Sequence, residues 1–201
     1  MKNWILVSAA ITLAACGGTD GQPDTEAPSN TLTTPSETLQ TQSMQTEGLM
    51  TQTFAIINTA GVEIGDVTVA DQAAGGVLLN LDVTAIPQGT HAIHFHTNGT
   101  CDLPNFSSAE GHYDPMAVNH GFDSTAPNPH AGDMRNFDAP VSGVVQTQVL
   151  NERVSLSDRE GFAPLFDADN TALIIHASAD DYVSQPTGAA GGRIACAVIA
   201  P

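Results

Sequence analysis

Short runs in which hydrophobic and polar residues alternate follow one another from about residue 50 to the end of the chain. They are rich in β-branched residues and are bounded by glycine and aspartate, a pattern typical of β-strands. Eight runs are present: TFAIINT, VEIGDVTVAD, GGVLLNLDVTAI, HAIHFH, VSGVVQTQVL, ERVSL, TALIIHA and GRIACAVIA. No window holds the periodicity of an amphipathic helix. The pattern predicts an all-β fold, an eight-stranded barrel or sandwich with Greek-key connections.

Two long stretches interrupt the strands, residues 97–139 and residues 178–191. Irregular segments of this length inside a compact domain are usually functional. Most of the histidines of the chain lie in these stretches or at their edges. We therefore expect two functional loops.

The N-terminal part has a different composition. Residues 1–15 carry an early positive charge and an apolar run that ends in small residues, which predicts a secretory signal peptide. A buried N-terminal helix is the alternative, and the run is too short to cross a bilayer. LAAC at residues 13–16 resembles the bacterial lipoprotein signal, in which the cysteine becomes the lipid-modified first residue, so Cys16 is the expected lipidation site.

Residues 16–49 are rich in Thr, Ser, Pro and Gln and contain few large apolar side chains. Such a segment cannot bury enough surface to offset its chain entropy, so we interpret it as a flexible tether behind the lipid. Residues 50–201 form the predicted folded domain.

The charge of the chain excludes some partners. It contains 22 acidic and five basic residues, a formal net charge of −17. Nucleic-acid binding requires clustered cations, and so does direct attraction to an anionic membrane. We expect no nucleic-acid partner, and membrane contact only through a lipid at Cys16.

Three cysteines are present. If Cys16 carries a lipid, Cys101 and Cys196 remain as an even pair in an oxidising compartment, where a disulfide can form. The bridge would close a loop of about 96 residues and stabilise the fold by about 4–5 kcal/mol on the chain-entropy model. Two free thiols are the alternative.

HAIHFH concentrates three of the seven histidines. In a strand, His94 and His96 lie on one face and suit a metal chelate, whereas His91 lies on the other face with apolar neighbours. Further along the chain come the other candidate ligands, His112, His120, His130, Asp133 and His176.

These ligands divide into two sets by chemistry. Three imidazoles and one carboxylate, from His112, His120, His130 and Asp133, form a normal tetrahedral zinc set, and Gly132 permits a tight turn within it. The all-imidazole set of the remaining three suits copper: His94, His96 and His176.

In sequence, HAIHFH, GHYDP, NHG, HAGD, IIHASADD and GGRIACAVIAP resemble the copper–zinc superoxide dismutases of the exported bacterial type, over about residues 51–200. The resemblance implies that His112 is a fourth copper ligand and bridges copper and zinc. It also implies a bridge between Cys101 and Cys196, and a carboxylate at Asp180 that orients one ligand of each metal. A solvated loop aspartate is the alternative for Asp180.

The resemblance further implies an enzyme that dismutes superoxide to oxygen and hydrogen peroxide. Arg193 would attract the anion and His112 would act as a proton donor, both counted as catalytic. An exposed arginine at a strand edge is the alternative for Arg193. The lipoprotein-like signal implies a periplasmic, lipid-anchored location, and the family resemblance is compatible with a monomer or a homodimer.

Two other functions compete with this interpretation. The first is an exported copper- and zinc-binding buffer or copper-delivery protein with little catalysis, which would not need Arg193. The second is a copper-only dismutase, which would not need His120, His130 or Asp133.

The distribution of charge along this chain differs from the pattern of the family. Many relatives carry lysines near the active-site channel, but residues 97–111 and 177–192 contain no lysine or arginine, and Asp180 and Asp181 add negative charge. We therefore hypothesise weaker electrostatic steering of superoxide than in lysine-bearing relatives.

Overall fold

The structure, a computed structural model, describes residues 48–122 and 129–201. The predicted signal peptide, Cys16 and nearly all of the predicted tether lie outside these residues. Within the described ranges, no helix is both long and apolar enough to span a membrane.

Eleven strands and one 3₁₀ turn make up the regular structure of the described residues. The strands are β1 (Thr51–Asn58), β2 (Glu63–Asp71), β3 (Val77–Val83), β4 (Gly89–His91), β5 (Ile93–His96), β6 (Phe137–Ala139), β7 (Val145–Asn151), β8 (Val154–Ser155), β9 (Ala163–Pro164), β10 (Thr171–His176) and β11 (Arg193–Ile199), and the turn is Ser107–Ala109. Every predicted run coincides with a strand, and HAIHFH is divided at Ala92 into β4 and β5. The short strands β6 and β9 were not predicted, because two or three residues show no alternation.

Seven strands form one antiparallel sheet in the order β5-β10-β11-β1-β2-β3-β7. β4 pairs with β6 in a second small sheet, and β8 pairs with β9. β4 continues into β5 through Ala92, and β6 contacts β7, so the small sheet links the two edges of the large one. The chain thus crosses from β3 to the far edge and returns to place β7 beside β3. This confirms the predicted all-β fold and its Greek-key connections.

Alternation along β2 and β3 builds the main core. Val67 and Val69 of β2 and Leu79 and Leu81 of β3 are almost completely buried, whereas Asp82 is exposed. Burying each such aliphatic side chain contributes about 1.5–3 kcal/mol. The inward face of these strands therefore determines the register of the sheet.

β10 is buried on both faces. Leu173 and Ile175 pack into the main core, while Ile174 belongs to a second apolar cluster with Phe106 and Cys196. This second cluster lies beneath the segment that follows β5. A continuous apolar run such as TALIIH is what a strand buried on both faces requires.

A disulfide joins Cys101 to Cys196, with 5.8 Å between the two Cα atoms. The bridge fastens the segment after β5 to β11 beside the second apolar cluster. The predicted pair is confirmed, and the alternative of two free thiols is wrong.

Replacing both cysteines by serine should lower the free energy of unfolding of the metal-free protein by about 4–5 kcal/mol, because the unfolded chain regains the entropy of a loop spanning a sequence separation of 95 residues. Guanidinium titration of the metal-free wild type and of the double variant measures the difference. A loss below about 1 kcal/mol would contradict the loop-entropy estimate.

Candidate metal centre

Two groups of buried ligand atoms lie side by side in the structure. The ligand atoms within each group are all within 4.8 Å of one another. The first group is His94, His96, His112 and His176, and the second is His112, His120, His130 and Asp133. The structure thus brings together every residue of the two predicted ligand sets, with His112 common to both.

The sheet supplies three members of the first group. His94 and His96 lie on β5, and His176 ends β10, which pairs with β5 so that His94 is opposite Ile174. A register shift places one extra residue, Ile194, in β11 opposite the end of β10. The Nε2 atoms of His96 and His176 are 3.3 Å apart. Two paired strands therefore position three imidazoles with little freedom.

The long loop supplies the second group, and its ends lie against β5. Isolated bridge pairs join His94 to Asp133 and His96 to His112. Gly132 makes the contact possible, because a Cβ at this position would lie 2.3 Å from the carbonyl oxygen of Phe95. Close approach to β5, rather than a left-handed turn, explains this glycine.

His112 lies between the two groups. Its Nδ1 is 2.9 Å from Asp133 Oδ1 in the second group. Its ring centroid is 4.0 Å from that of His94 and 5.0 Å from that of His96 in the first group. The two nitrogens of one imidazole thus serve neighbouring sites.

Several imidazole nitrogens are buried without a hydrogen-bond partner. Within residues 48–122 and 129–201 these are His94 Nδ1, His112 Nε2, His120 Nδ1 and His130 Nδ1. The last two lie 3.0 Å and 3.3 Å from Asp133 oxygens, but not in hydrogen-bonding geometry. Buried polar atoms without a partner are costly, so this arrangement suits ligands grouped around a metal ion. The residues present fit copper in the first group and zinc in the second.

The carboxylate of Asp180 connects the two groups through hydrogen bonds to one histidine of each. Its Oδ2 is 2.8 Å from His94 Nε2, and its Oδ1 is 3.0 Å from His120 Nε2. The carboxylate is buried, and Gly188 leaves room for it, because a Cβ there would overlap Asp180 Oδ1. Asp180 therefore fixes the orientation of one imidazole in each group, and it is not a solvated loop aspartate.

Burial favours the neutral form of three histidines of the first group. It lowers the pKa of His176 to about 3, with His94 and His112 adding to the effect. It lowers the pKa of His112 to about 4, although the hydrogen bond to Asp133 opposes it. It also holds the pKa of His96 well below the usual range. Neutral imidazole is the form that binds metal.

The second group is more strongly charged. Burial opposes a charge on His120, but Asp133 and Asp180 outweigh it and raise the pKa of His120 to about 9. Burial would likewise raise the pKa of Asp133, but contacts with His112, His120 and His130 hold it well below the usual range. The carboxylate is therefore ionised and available to a cation.

Arg193 begins β11 and is paired in the sheet with His176. Its two Nη atoms donate to the carbonyl oxygens of Phe106 and Glu110. The guanidinium is half-buried, so Arg193 is not the freely exposed strand-edge arginine of the alternative interpretation.

Sequence reasoning did not predict the role of Glu110. Its carbonyl oxygen accepts from Arg193 and lies 2.8 Å from His96 Nδ1, so one peptide group holds both the arginine and a candidate ligand. Its backbone has φ 62° and ψ −146°, a conformation that favours glycine. No sequence signal marks this position, because the contact is made by the main chain.

Asp180→Asn should lower zinc affinity about 10- to 100-fold, because the amide cannot accept hydrogen bonds from both His94 and His120. Competition with a chromogenic chelator measures the zinc dissociation constant. Asp181→Asn is the matched control, since the Asp181 side chain is exposed and, among the described residues, accepts hydrogen bonds from residues 183 and 184 alone. Equal affinities of the two variants would contradict a positioning role for Asp180.

Comparison with known proteins identifies relatives of the chain. The model of the copper/zinc superoxide dismutase family matches residues 63–199. Copper–zinc superoxide dismutase 1 of Aquifex aeolicus is 42% identical over 145 residues, which cover 72% of this chain and 84% of that protein. The copper–zinc superoxide dismutase of Caulobacter vibrioides is 39% identical over 140 residues, covering 69% and 79%.

Solved structures show the same fold. A double mutant of a superoxide dismutase-like protein from Bacillus subtilis superimposes with a TM-score of 0.70 at 29% identity, covering 74% of this chain and 97% of that one. The Cu/Zn superoxide dismutase of Brucella abortus has a TM-score of 0.60 at 24% identity, covering 75% and 99%.

Proposed function

The chain belongs to the copper/zinc superoxide dismutase family, and we propose that it converts two superoxide anions and two protons into oxygen and hydrogen peroxide outside the cytoplasm. The observation that carries the proposal is the pair of buried ligand groups that share His112. Zinc alone would need only the second group, and not the first, all-imidazole group.

The ligand roles follow from the donor sets. His94 Nδ1 and the Nε2 atoms of His96, His112 and His176 would hold copper. The Nδ1 atoms of His112, His120 and His130, with Asp133, would hold zinc. When bound, copper supplies the one-electron chemistry that oxidises one superoxide and reduces the next. Zinc would fix the position of His112 and of the loop that carries it.

Arg193 would bind the anion beside the first group. Guanidinium has five N–H donors, and the carbonyls of Phe106 and Glu110 use two of them. The remaining donors are free to bind superoxide, and the two carbonyl contacts prevent the side chain from swinging away. A preorganised cation of this kind attracts and orients a small anion.

His112 would supply a proton. Its Nδ1 is directed towards Asp133, whereas Nε2 faces the first group and has no hydrogen-bond partner among the described residues. When Nε2 does not bind copper, it can carry a proton beside the place where the reduced product forms. His112 therefore acts as a general acid there.

The disulfide supports export of the protein from the cytoplasm, because disulfides form and persist in oxidising compartments. We propose a periplasmic protein, with residues 1–15 as signal peptide, a lipid at Cys16, residues 16–49 as tether and residues 50–201 as catalytic domain. Labelling with a radioactive fatty acid, with Cys16→Ser as the comparison, tests the anchor. Equal labelling of both chains would contradict it.

Arg193→Ala should lower the second-order rate constant of superoxide decay at least about tenfold, because the anion loses its positioned cation. Pulse radiolysis of protein loaded with one copper and one zinc measures this constant, and metal analysis shows whether the variant retains both ions. Arg159→Ala is the control, since the Arg159 side chain bonds to the carbonyl oxygens of Gln72 and Ala73 and lies over the ring of Phe162, away from both ligand groups.

Two results would separate the enzyme from a metal-buffering protein. An unchanged rate constant in the Arg193 variant would contradict the proposed role of that residue. Wild-type protein that holds both metals but decomposes superoxide no faster than the buffer would contradict the enzymatic function, and favour a copper-holding protein.

The rate should depend only weakly on ionic strength. The exposed side chains of Glu110 and Asp181 are negative, and no lysine or arginine in residues 97–111 or 177–192 offsets them. From about 10 mM to about 200 mM salt, we expect the rate constant to change less than about twofold, because long-range attraction of the anion is weak.

A steep fall in rate with added salt would contradict this expectation, since it is the behaviour of a strongly steered enzyme. Glu110→Gln provides a matched comparison, because it removes one charge near Arg193 and keeps the main-chain carbonyl. We expect this variant to be faster than the wild type at low salt and similar to it at high salt.

A further inference from the structure

Arg153 contacts the main chain of the second ligand group. It follows the end of β7, and its Nε donates to the carbonyl oxygen of His130 at 3.0 Å. An Nη atom of the same guanidinium donates to the carbonyl oxygen of Asp133. One planar group therefore binds the first and the last residue of the turn that carries two of the proposed zinc ligands.

Asn151, the last residue of β7, supports the same turn. Its side-chain amide donates to the carbonyl oxygen of Ala131 at 2.8 Å, and its Oδ1 accepts from the main-chain N–H of Arg153 at 2.8 Å. Asn151 is completely buried. The end of β7 thus holds three carbonyl groups of the turn, and none of these bonds involves a ligand side chain.

An aromatic stack joins this contact to the rest of the second group. The guanidinium carbons of Arg135 and Arg153 lie 4.1 Å and 5.1 Å from the ring centroid of Phe122. The ring of Tyr182 meets that of Phe122 edge to face, at 5.6 Å between centroids. Arg135 also lies over Tyr182, at 4.9 Å.

The positions of the stacked residues along the chain are informative. Phe122 is two residues after His120, Arg135 two residues after Asp133, and Tyr182 two residues after Asp180. The stack therefore joins three separate segments just beyond the residue that each contributes to the second group or to its support. Arg153 is the only member that also bonds to the main chain of the turn among the described residues.

We propose that Arg153 is a positioning residue that sets how long zinc is retained, by holding the His130–Asp133 turn closed from outside. The proposal rests on the zinc assignment made above. Release of the ion requires His130 and Asp133 to move away from it, and such movement breaks both guanidinium bonds. Because Arg153 does not contact His94, His96 or His176, its effect is confined to the second group.

The chain contains a matched control for this contact. Arg159 also donates to two main-chain carbonyl oxygens, those of Gln72 and Ala73, and also lies 5.1 Å from the centroid of an aromatic ring, that of Phe162. It has the same kinds of contact as Arg153 but touches no residue of either ligand group. The comparison therefore separates zinc retention from general stabilisation.

The test measures zinc release from the full chain loaded with copper and zinc, after mixing with excess chromogenic chelator. The variants are Arg153→Gln, Arg153→Lys and Arg159→Gln, and the zinc content of the wild type is measured first. We expect Arg153→Gln to release zinc at least about tenfold faster than the wild type, within the range found for residues that support metal ligands. Arg153→Lys should also be faster, because an ammonium cannot form the same planar fork. Arg159→Gln should stay within about twofold of the wild type.

Three results would overturn the proposal. They are an unchanged release rate in Arg153→Gln, an equal acceleration in Arg159→Gln, and a wild type that binds no zinc. The last result would also remove the zinc assignment, whereas the first two leave it intact. If Arg153→Gln does not fold, Arg153→Lys provides the test, and an unchanged release rate in that variant would contradict the proposal.

Discussion

A single imidazole, that of His112, belongs to two ligand groups, and this constraint determines much of the structure around it. One ring can serve both sites only if its plane, its distance from Asp133 and its distance from the strand histidines are all correct together. The loop that carries His112 must therefore be positioned as accurately as the strands. Bridge pairing to β5, the buried carboxylate of Asp180 and the glycine at position 132 each contribute to this accuracy.

The histidines on the strands and the ligands on the loop are held in position by different kinds of contact. β5 and β10 pair with each other and are buried along their whole length, so their histidines need little further support. The loop residues have no ladder of that length and depend on contacts with individual polar groups. This difference explains why hydrogen bonds from Asn151, Arg153 and Asp180 concentrate around the second group.

The sequence predicted the strands well because alternation and β-branched composition report directly on half-buried strands. It also predicted which side chains meet, through ligand chemistry and family resemblance, and the structure brings those residues together. It could not predict Glu110, Asn151 or Arg153, because their contacts involve main-chain carbonyls that any residue type can provide. Nor did it predict β6 and β9, whose pairing depends on neighbouring strands rather than on their own pattern.

The two acceptors of Arg193 lie in the segment that the disulfide attaches to β11. Phe106 and Glu110 are therefore fixed to the barrel through a covalent bond as well as through packing. A chain whose thiols stay reduced would still contain every candidate ligand side chain, but the segment that accepts from Arg193 would be held by packing alone. Under the proposed function, oxidation of the two thiols therefore determines whether the guanidinium that would bind superoxide is supported by a segment attached covalently to β11.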